Sequence, residues 1–203
     1  MTVIPVSLAA EGLLDEQVLR RLLAFSGRPF APGACYGRRG RDHLEQNLPR
    51  FNRAAAYRPF IALTDLDRDE CPPTLLHHWL PDGPHRNLVL RIAVREAEAW
   101  LLADRQGFAE FLGVPVARLP FQPEDEADPK ALVIALARRS RYRAMSEEVA
   151  PAPGSTSPIG KNYVGQMTRF VVSRWKIENA RRHSPSLDRA LKAVQRFSPA
   201  LRE

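Results

Sequence analysis

The order of apolar patterns along the chain predicts an α/β sandwich: a mostly parallel sheet covered by helices, with a helical C-terminal extension. Two observations carry this. Short runs of strand length, "TVIPVSLA", "FIAL" and "NLVLRIAV", alternate with longer segments of helical periodicity. "FIAL" is apolar at every position instead of every second one, as a strand covered on both faces of a parallel sheet should be.

The first run gives way at once to Glu11-Gly12 and then to "LLDEQVLRRLLAF", whose Leu14, Val18, Leu19, Leu22 and Leu23 recur at helical spacing. This is strand, tight turn, helix. Residues 28–42, "RPFAPGACYGRRGRD", read as a turn-rich connection, and "HLEQNLPRFNRAAAY" as a helix that breaks near Pro49. "NLVLRIAV", Asn87 to Val94, is the next strand, and "REAEAWLLADRQGFAEFLG" is one helix closing on Gly113. Asp128 and Pro129 supply an N-cap and a first helical position for "KALVIALARRSRYRAM". "APAPGSTSPIG" is the clear linker, and "NYVGQMTRFVVSRWKIENARR" and "SLDRALKAVQRF" follow as helices, the second started by Ser184-Pro185. The change of pattern sets an expected division into an α/β core over 1–127 and a basic helical region over 128–203, with a linker near 150–160.

The 203 residues are enough to bury a core without disulfide or metal staples, and 44% apolar with 26% charged residues excludes a disordered chain. "MTVIPVSLAAEGLLDEQ" lacks the basic start of a secretion signal and Pro5 interrupts its apolar run, so a cytoplasmic protein without a membrane partner is expected. Cys35 and Cys71 have no partners at ligand spacing. Charge is uneven. Residues 1–130 hold 16 Lys and Arg against 18 Asp and Glu, while residues 131–203 hold 14 against 5. A polyanion gripped by the C-terminal third fits that asymmetry, and so does a solvated Arg-rich surface. The candidate contacts to nucleic-acid backbone are Arg38, Arg39 and Arg41 in one cluster and Arg138, Arg139, Arg141 and Arg143 in another.

Against this basic background, "FIALTDLDRDECPP" gathers Asp65, Asp67, Asp69 and Glu70 within six positions. In open α/β sheets the ligand crevice lies beyond the C-terminal ends of the strands, where both Glu11 and this cluster fall. Strand alternation sends Asp65 and Asp67 to one side of the chain. Carboxylates held so close repel and raise one another's pKa unless a cation compensates. Oxygen-only donors favour Mg²⁺ or Mn²⁺, which can polarise a phosphoryl oxygen and lower the pKa of bound water. A polar loop at a strand end is the plainer alternative. An EF-hand would need Gly at its sixth position, where Glu70 stands. A haloacid-dehalogenase-type phosphatase motif, D-x-D-x-T, would need Thr where Asp69 stands. Glu98, at a strand-to-helix junction expected at the same sheet edge, is an outer-ligand candidate, although a first-turn carboxylate also suits the helix dipole. Lys161, after the linker, could neutralise a scissile phosphate or be a solvated loop lysine.

A strand ending in Glu-Gly with Asp15 following, and then a buried strand ending in Asp-x-Asp about fifty residues later, resembles the TOPRIM domain of topoisomerases, bacterial primases and nucleases of the overcoming-lysogenization-defect type. "EAEAWLLAD" and "SPSL" resemble a bacterial TOPRIM-like family of unknown function. The resemblance implies that Glu11 is a metal ligand or general acid/base, that Asp65 and Asp67 are the metal-binding pair, and that Asp69 takes the place of a third acid. Neither the tyrosine domain of topoisomerases nor the zinc module of primases is evident, which leaves metal-dependent phosphodiester hydrolysis with Mg²⁺ or Mn²⁺. A companion ATPase in mobile-element or phage defence is the partner it implies. The other classes are a non-catalytic adaptor that binds nucleic acid or an ATPase, and a phosphatase on a related fold.

Overall fold

The computed structural model describes residues 2–69 and 71–200. Four parallel strands form one sheet in the order β2-β1-β3-β4: β1 (Ile4–Ala10), β2 (Phe30–Gly37), β3 (Phe60–Asp65) and β4 (Leu88–Ala93). They are joined by α1 (Leu13–Phe25), α2 (Arg41–Ala54) and α3 (Pro72–Trp79). The chain steps outward from β1 to β2, then back past β1 to β3 and on to β4. Right-handed crossovers therefore put α1 on one face and α2 and α3 on the other. The α/β class with helices flanking a parallel sheet holds, and the topology agrees with a TOPRIM-like, Rossmann-type arrangement.

Residue choice explains the packing. Leu14, Val18, Leu19, Leu22 and Leu23 of α1 are all buried. On the other face, Leu44, Leu48, Leu75 and Trp79 join Ala9, Phe60, Ala62, Leu88, Leu90 and Ile92 in one cluster. Each such Leu or Phe contributes about 1.5–3 kcal/mol by leaving water. Pro5 is tolerated inside β1 because the Ile4 N–H points to β2, donating to the Pro29 carbonyl at 2.7 Å. The missing N–H of Pro5 thus faces the β3 side, where pairing begins only at Ser7.

Three expectations about these elements are corrected. Residues 28–42 contain β2 as well as a turn; a strand with Pro32 and Gly33 is acceptable because β2 lies at the sheet edge, with only β1 beside it. Pro49 does not end α2, which runs to Ala54. Its last turn is held by Phe51, whose ring lies 5.8 Å from that of Phe60 and 5.6 Å from that of Tyr36. The helix expected to close on Gly113 is two, α4 (Ala97–Leu102) and α5 (Arg105–Leu112), because the Asp104 carboxylate turns away to accept the Lys176 N–H at 2.9 Å. Gly113 does cap α5 in the left-handed region, at φ 72°.

Compact units do not follow the 127/128 division. One contains the residues up to Val94 and those from Asp188 onward; the other is Arg95–Leu187. In the second unit α4 is buried all round and packs against α5, α6 (Pro129–Ala137) and α9 (Ile177–Ala180), with α7 (Arg143–Val149) and α8 (Tyr163–Ser173) completing it. α6 starts as expected, with Asp128 Oδ1 accepting the Ala131 N–H at 2.7 Å. The stretch near 150–160 is a loop that folds back within this unit. Gly160 N–H reaches the Val149 carbonyl at 2.9 Å and Asn162 N–H the Glu148 carbonyl at 3.0 Å. The quoted motifs build its interior: Trp100 Nε1 donates to Ser186 Oγ at 2.7 Å, and Glu124 accepts the Ser186 N–H and the hydroxyls of Ser184 and Ser186.

α10 (Pro185–Arg196) leads into the C-terminal tail of the first unit. The Phe197 ring lies 5.8 Å from Phe30, at the start of β2, and Ala200 pairs with the Asn87 side chain, just before β4. Asn87 is 2% exposed and also donates to the Ala55 carbonyl at 3.1 Å. Among the described residues no helix is long and apolar enough to cross a membrane. Asn87→Ala leaves the buried Ala55 carbonyl without that donor and frees the tail, so it should destabilise the chain by about 2 kcal/mol. Urea denaturation measures the loss, and carboxypeptidase digestion should show the tail trimmed faster.

Candidate functional site

The order β2-β1-β3-β4 has its switch point between β1 and β3, since the chain leaves these neighbours in opposite directions. The register pairs Ala10 with Leu63, so the residues that follow each strand emerge side by side. Glu11 Oε1 accepts the Thr64 hydroxyl and, at 3.0 Å, the Asp65 N–H. Among the described residues Glu11 Oε2 accepts no hydrogen bond. Burial pushes the Glu11 carboxyl above its ordinary 4.5. Asp67 adds to the shift, while Thr64, the Asp65 N–H and Arg41 oppose it.

Asp65 ends β3, and alternation ends with it. Leu66 turns into the core, its N–H on the Ala93 carbonyl at 2.8 Å. Asp67 adopts the left-handed region at φ 49°, which Asp tolerates better than most residues. The Asp65-Asp67 pair is thus ordered by a turn and by a basic residue, not by strand alternation. That residue is Arg41, at the start of α2. Its Nη1 donates to the Asp65 carbonyl and to Asp67 Oδ2, both at 2.9 Å, and its Nη2 donates to Asp69 Oδ2. The guanidinium also lies 5.3 Å from the Trp79 ring centroid. Partial burial disfavours the charge on Arg41, but Asp69 and Asp67 outweigh it.

Backbone contacts between the strand ends place Arg41. Gly37 has φ 93°, and a Cβ there would sit 2.4 Å from the Ala10 carbonyl oxygen, so only glycine lets the chain pass so close to the end of β1. Arg38 N–H then donates to the Ala10 carbonyl at 2.8 Å and Gly40 N–H to the Glu11 carbonyl at 3.0 Å. Asp15 caps α1 by accepting the Gly12 N–H at 2.8 Å.

The expected residues are therefore distributed as follows. Glu11, Asp65, Asp67 and Asp69 gather at the switch point. Arg41, expected with the phosphate contacts, is instead the counter-ion of the acidic turn. Arg38 lies 3.3 Å from Glu16, and Arg39 is exposed. Glu98 and Lys161 belong to the other unit. Glu98 is buried there, accepting the Tyr163 hydroxyl at 2.9 Å, with Lys130 Nζ at 3.8 Å. Burial raises its pKa against the pull of Lys130. Lys161 is exposed, as are Arg138, Arg139, Arg141 and Arg143. Glu70 lies outside the described residues. Thr64 and the pairing role of Arg41 were not anticipated; a hydroxyl one position before the first Asp was the available signal for Thr64.

Among the described residues no three His, Cys, Asp or Glu side chains stand as a ready-made metal cage. The donors at the switch point are all carboxylate oxygens, which suits Mg²⁺ or Mn²⁺ by hardness. An ion bound at Asp67 and Asp69 would take the place of Arg41 hydrogen bonds. Compared with known proteins, the chain matches no family profile, no curated protein and no solved structure.

The raised pKa of Glu11 gives a signed expectation. Below 4.5 both folded and unfolded chains hold the proton; as pH rises, the unfolded chain ionises first and stability falls until the folded carboxyl has also ionised. Glu11→Gln keeps an acceptor for Thr64 and never ionises. It should be more stable than the parent chain at neutral pH, with the gain fading below 4.5, as read by urea midpoints across pH.

Proposed function

We propose that the chain is a TOPRIM-type phosphodiesterase that hydrolyses nucleic acid with Mg²⁺ or Mn²⁺ held by Glu11, Asp65 and Asp67. The observation that supports this best is the meeting of Glu11 with the Asp65-Asp67 turn at the switch point of a parallel sheet, with Glu11 Oε2 open. When bound, the ion supplies Lewis acidity toward a phosphoryl oxygen. Thr64 and the Asp65 N–H fix the Glu11 carboxylate, and burial, by raising its pKa, makes it a better proton acceptor than an exposed carboxylate. Arg41 keeps the acidic turn folded and, when released, offers a fork of donors to a phosphate. The exposed arginines at 138–143 bind the backbone without reading sequence. The reading extends to a cytoplasmic nuclease with a companion ATPase in mobile-element or phage defence.

A second reading is favoured by one observation. Arg41 already neutralises Asp67 and Asp69, which is what a non-catalytic adaptor that binds nucleic acid or an ATPase on the same scaffold would need. The two separate on Asp65→Ala combined with Asp67→Ala. Under the nuclease reading, cutting of single- or double-stranded DNA or RNA with Mn²⁺ falls at least about a hundredfold while binding persists. Calorimetric Mn²⁺ binding should also disappear. A parent chain that binds no divalent ion and cuts nothing, with or without an ATPase partner, would count for the adaptor.

A further inference from the structure

Helix α6 is apolar all round although only one side of it is covered. From Ala131 to Ala137 it reads "ALVIALA", without a polar side chain. Val133, Leu136 and Ala137 are buried in the second unit, where α6 packs against α4 and α7. Ala131 and Ala135 are exposed and Leu132 and Ile134 half-buried. A surface helix ordinarily carries polar residues at such positions.

That outer face floors a groove of about 320 Å³, lined by Leu132, Ala135, Leu136 and Arg139 and, from the 3₁₀ turn Val116–Arg118, by Arg118. Arg139 lies just past the end of α6, its N–H on the Leu136 carbonyl at 2.9 Å. The four residues stand at i, i+3, i+4 and i+7, so the floor is one helical stripe about 10 Å long. Both arginines are exposed, and among the described residues neither side chain has a hydrogen-bond or ion-pair partner. An aliphatic strip thus lies beside two uncompensated positive charges.

A nucleic-acid backbone would engage the arginines and leave the aliphatic floor idle, and an unstacked base needs an aromatic ring, which the lining lacks. A fatty acid brings one carboxylate to two arginines. A second copy of a chain with net charge +7 is opposed by those same charges. A protein segment with aliphatic side chains along one helical face and carboxylates beside them uses both features. We infer that the groove is a docking site for an acidic amphipathic helix of a partner protein, its aliphatic side chains on Leu132, Ala135 and Leu136 and its carboxylates on Arg118 and Arg139. The site shares no residue with the switch-point acids and serves a nuclease or an adaptor alike.

Fluorescence anisotropy of labelled helical peptides titrated with the full chain tests this. One peptide carries Leu along one face and Glu beside it; the controls replace its Glu by Lys or its Leu by Ser. The Leu-and-Glu peptide should bind at least about tenfold tighter than either control. Ala135→Glu puts a carboxylate on the groove floor while pairing with Arg139 at i+4, so the helix is kept. It should weaken that binding about tenfold, with the circular dichroism spectrum unchanged and the urea midpoint not lowered. Arg118→Glu should weaken it likewise and gain affinity for the Leu-and-Lys peptide, a reversal that loss of structure does not produce. No binding of the Leu-and-Glu peptide up to millimolar concentration would overturn the docking site. Equal binding of the peptide that lacks Leu would also overturn it and leave only a basic surface. A parent dimer that Ala135→Glu splits in sedimentation would assign the groove to a second copy instead. Displacement of the peptide by decanoate at lower concentration than by unlabelled peptide would assign it to a lipid. Variants that weaken oligo-dT binding and leave the peptide bound would assign the arginines to nucleic acid, and each of these three results overturns the inference.

Discussion

The candidate site depends on the adjacency of β1 and β3 in one parallel sheet. Strands paired in parallel end at the same edge, so the residue after β1 and the residues ending β3 share a position however far apart they lie in sequence. That geometry brings Glu11 within hydrogen-bond reach of Thr64 and the Asp65 N–H, across 53 and 54 residues. The next constraint is charge. Two backbone bonds from the β2–α2 connection to Ala10 and Glu11, allowed by Gly37, deliver Arg41 to the acidic turn. The acids are assembled together with their own cation.

This dual assembly shapes the chemistry. An acidic turn without a counter-ion would tend to splay apart or protonate. With Arg41 in place it folds, at the cost that any divalent ion must compete with a hydrogen-bonded guanidinium. Glu11 escapes that competition because Arg41 reaches it only through space, and its Oε2 is left open. A divalent ion at this turn would therefore exchange one cation for another, and the released guanidinium would stay tethered to α2 near Trp79.

What was legible in the sequence follows from what local pattern encodes. β1, β3 and β4 announce themselves as apolar runs, and α1 by its period, because each buries its side chains against both neighbours or along one stripe. β2 does not, since an edge strand with partly exposed residues has no need of a continuous apolar run and admits Pro32 and Gly33. Pro49 and the break at Asp104 went unread for the opposite reason. Tertiary contacts, Phe51 on Phe60 in one case and Asp104 on the Lys176 N–H in the other, outweigh local propensity. The acids at the switch point could be picked out by their position after strands. The pairing of Arg41 with residues 26 and 28 positions away could not, because no local rule links a helix start to a turn beyond the next strand.

The second unit shows why basicity alone is a poor guide to a binding surface. Its inward-turned carboxylates serve structure: half-buried Glu124 holds Ser184 and Ser186, half-buried Glu96 accepts the Lys130 N–H at 2.9 Å, and buried Glu98 holds Tyr163. Each finds its donors inside the protein, as buried acceptors generally must. Several acidic side chains are thus drawn inward, while Arg138, Arg139, Arg141, Arg143, Arg169 and Arg174 remain outside. An excess of surface arginine arises from that sorting whether or not a polyanion is ever met.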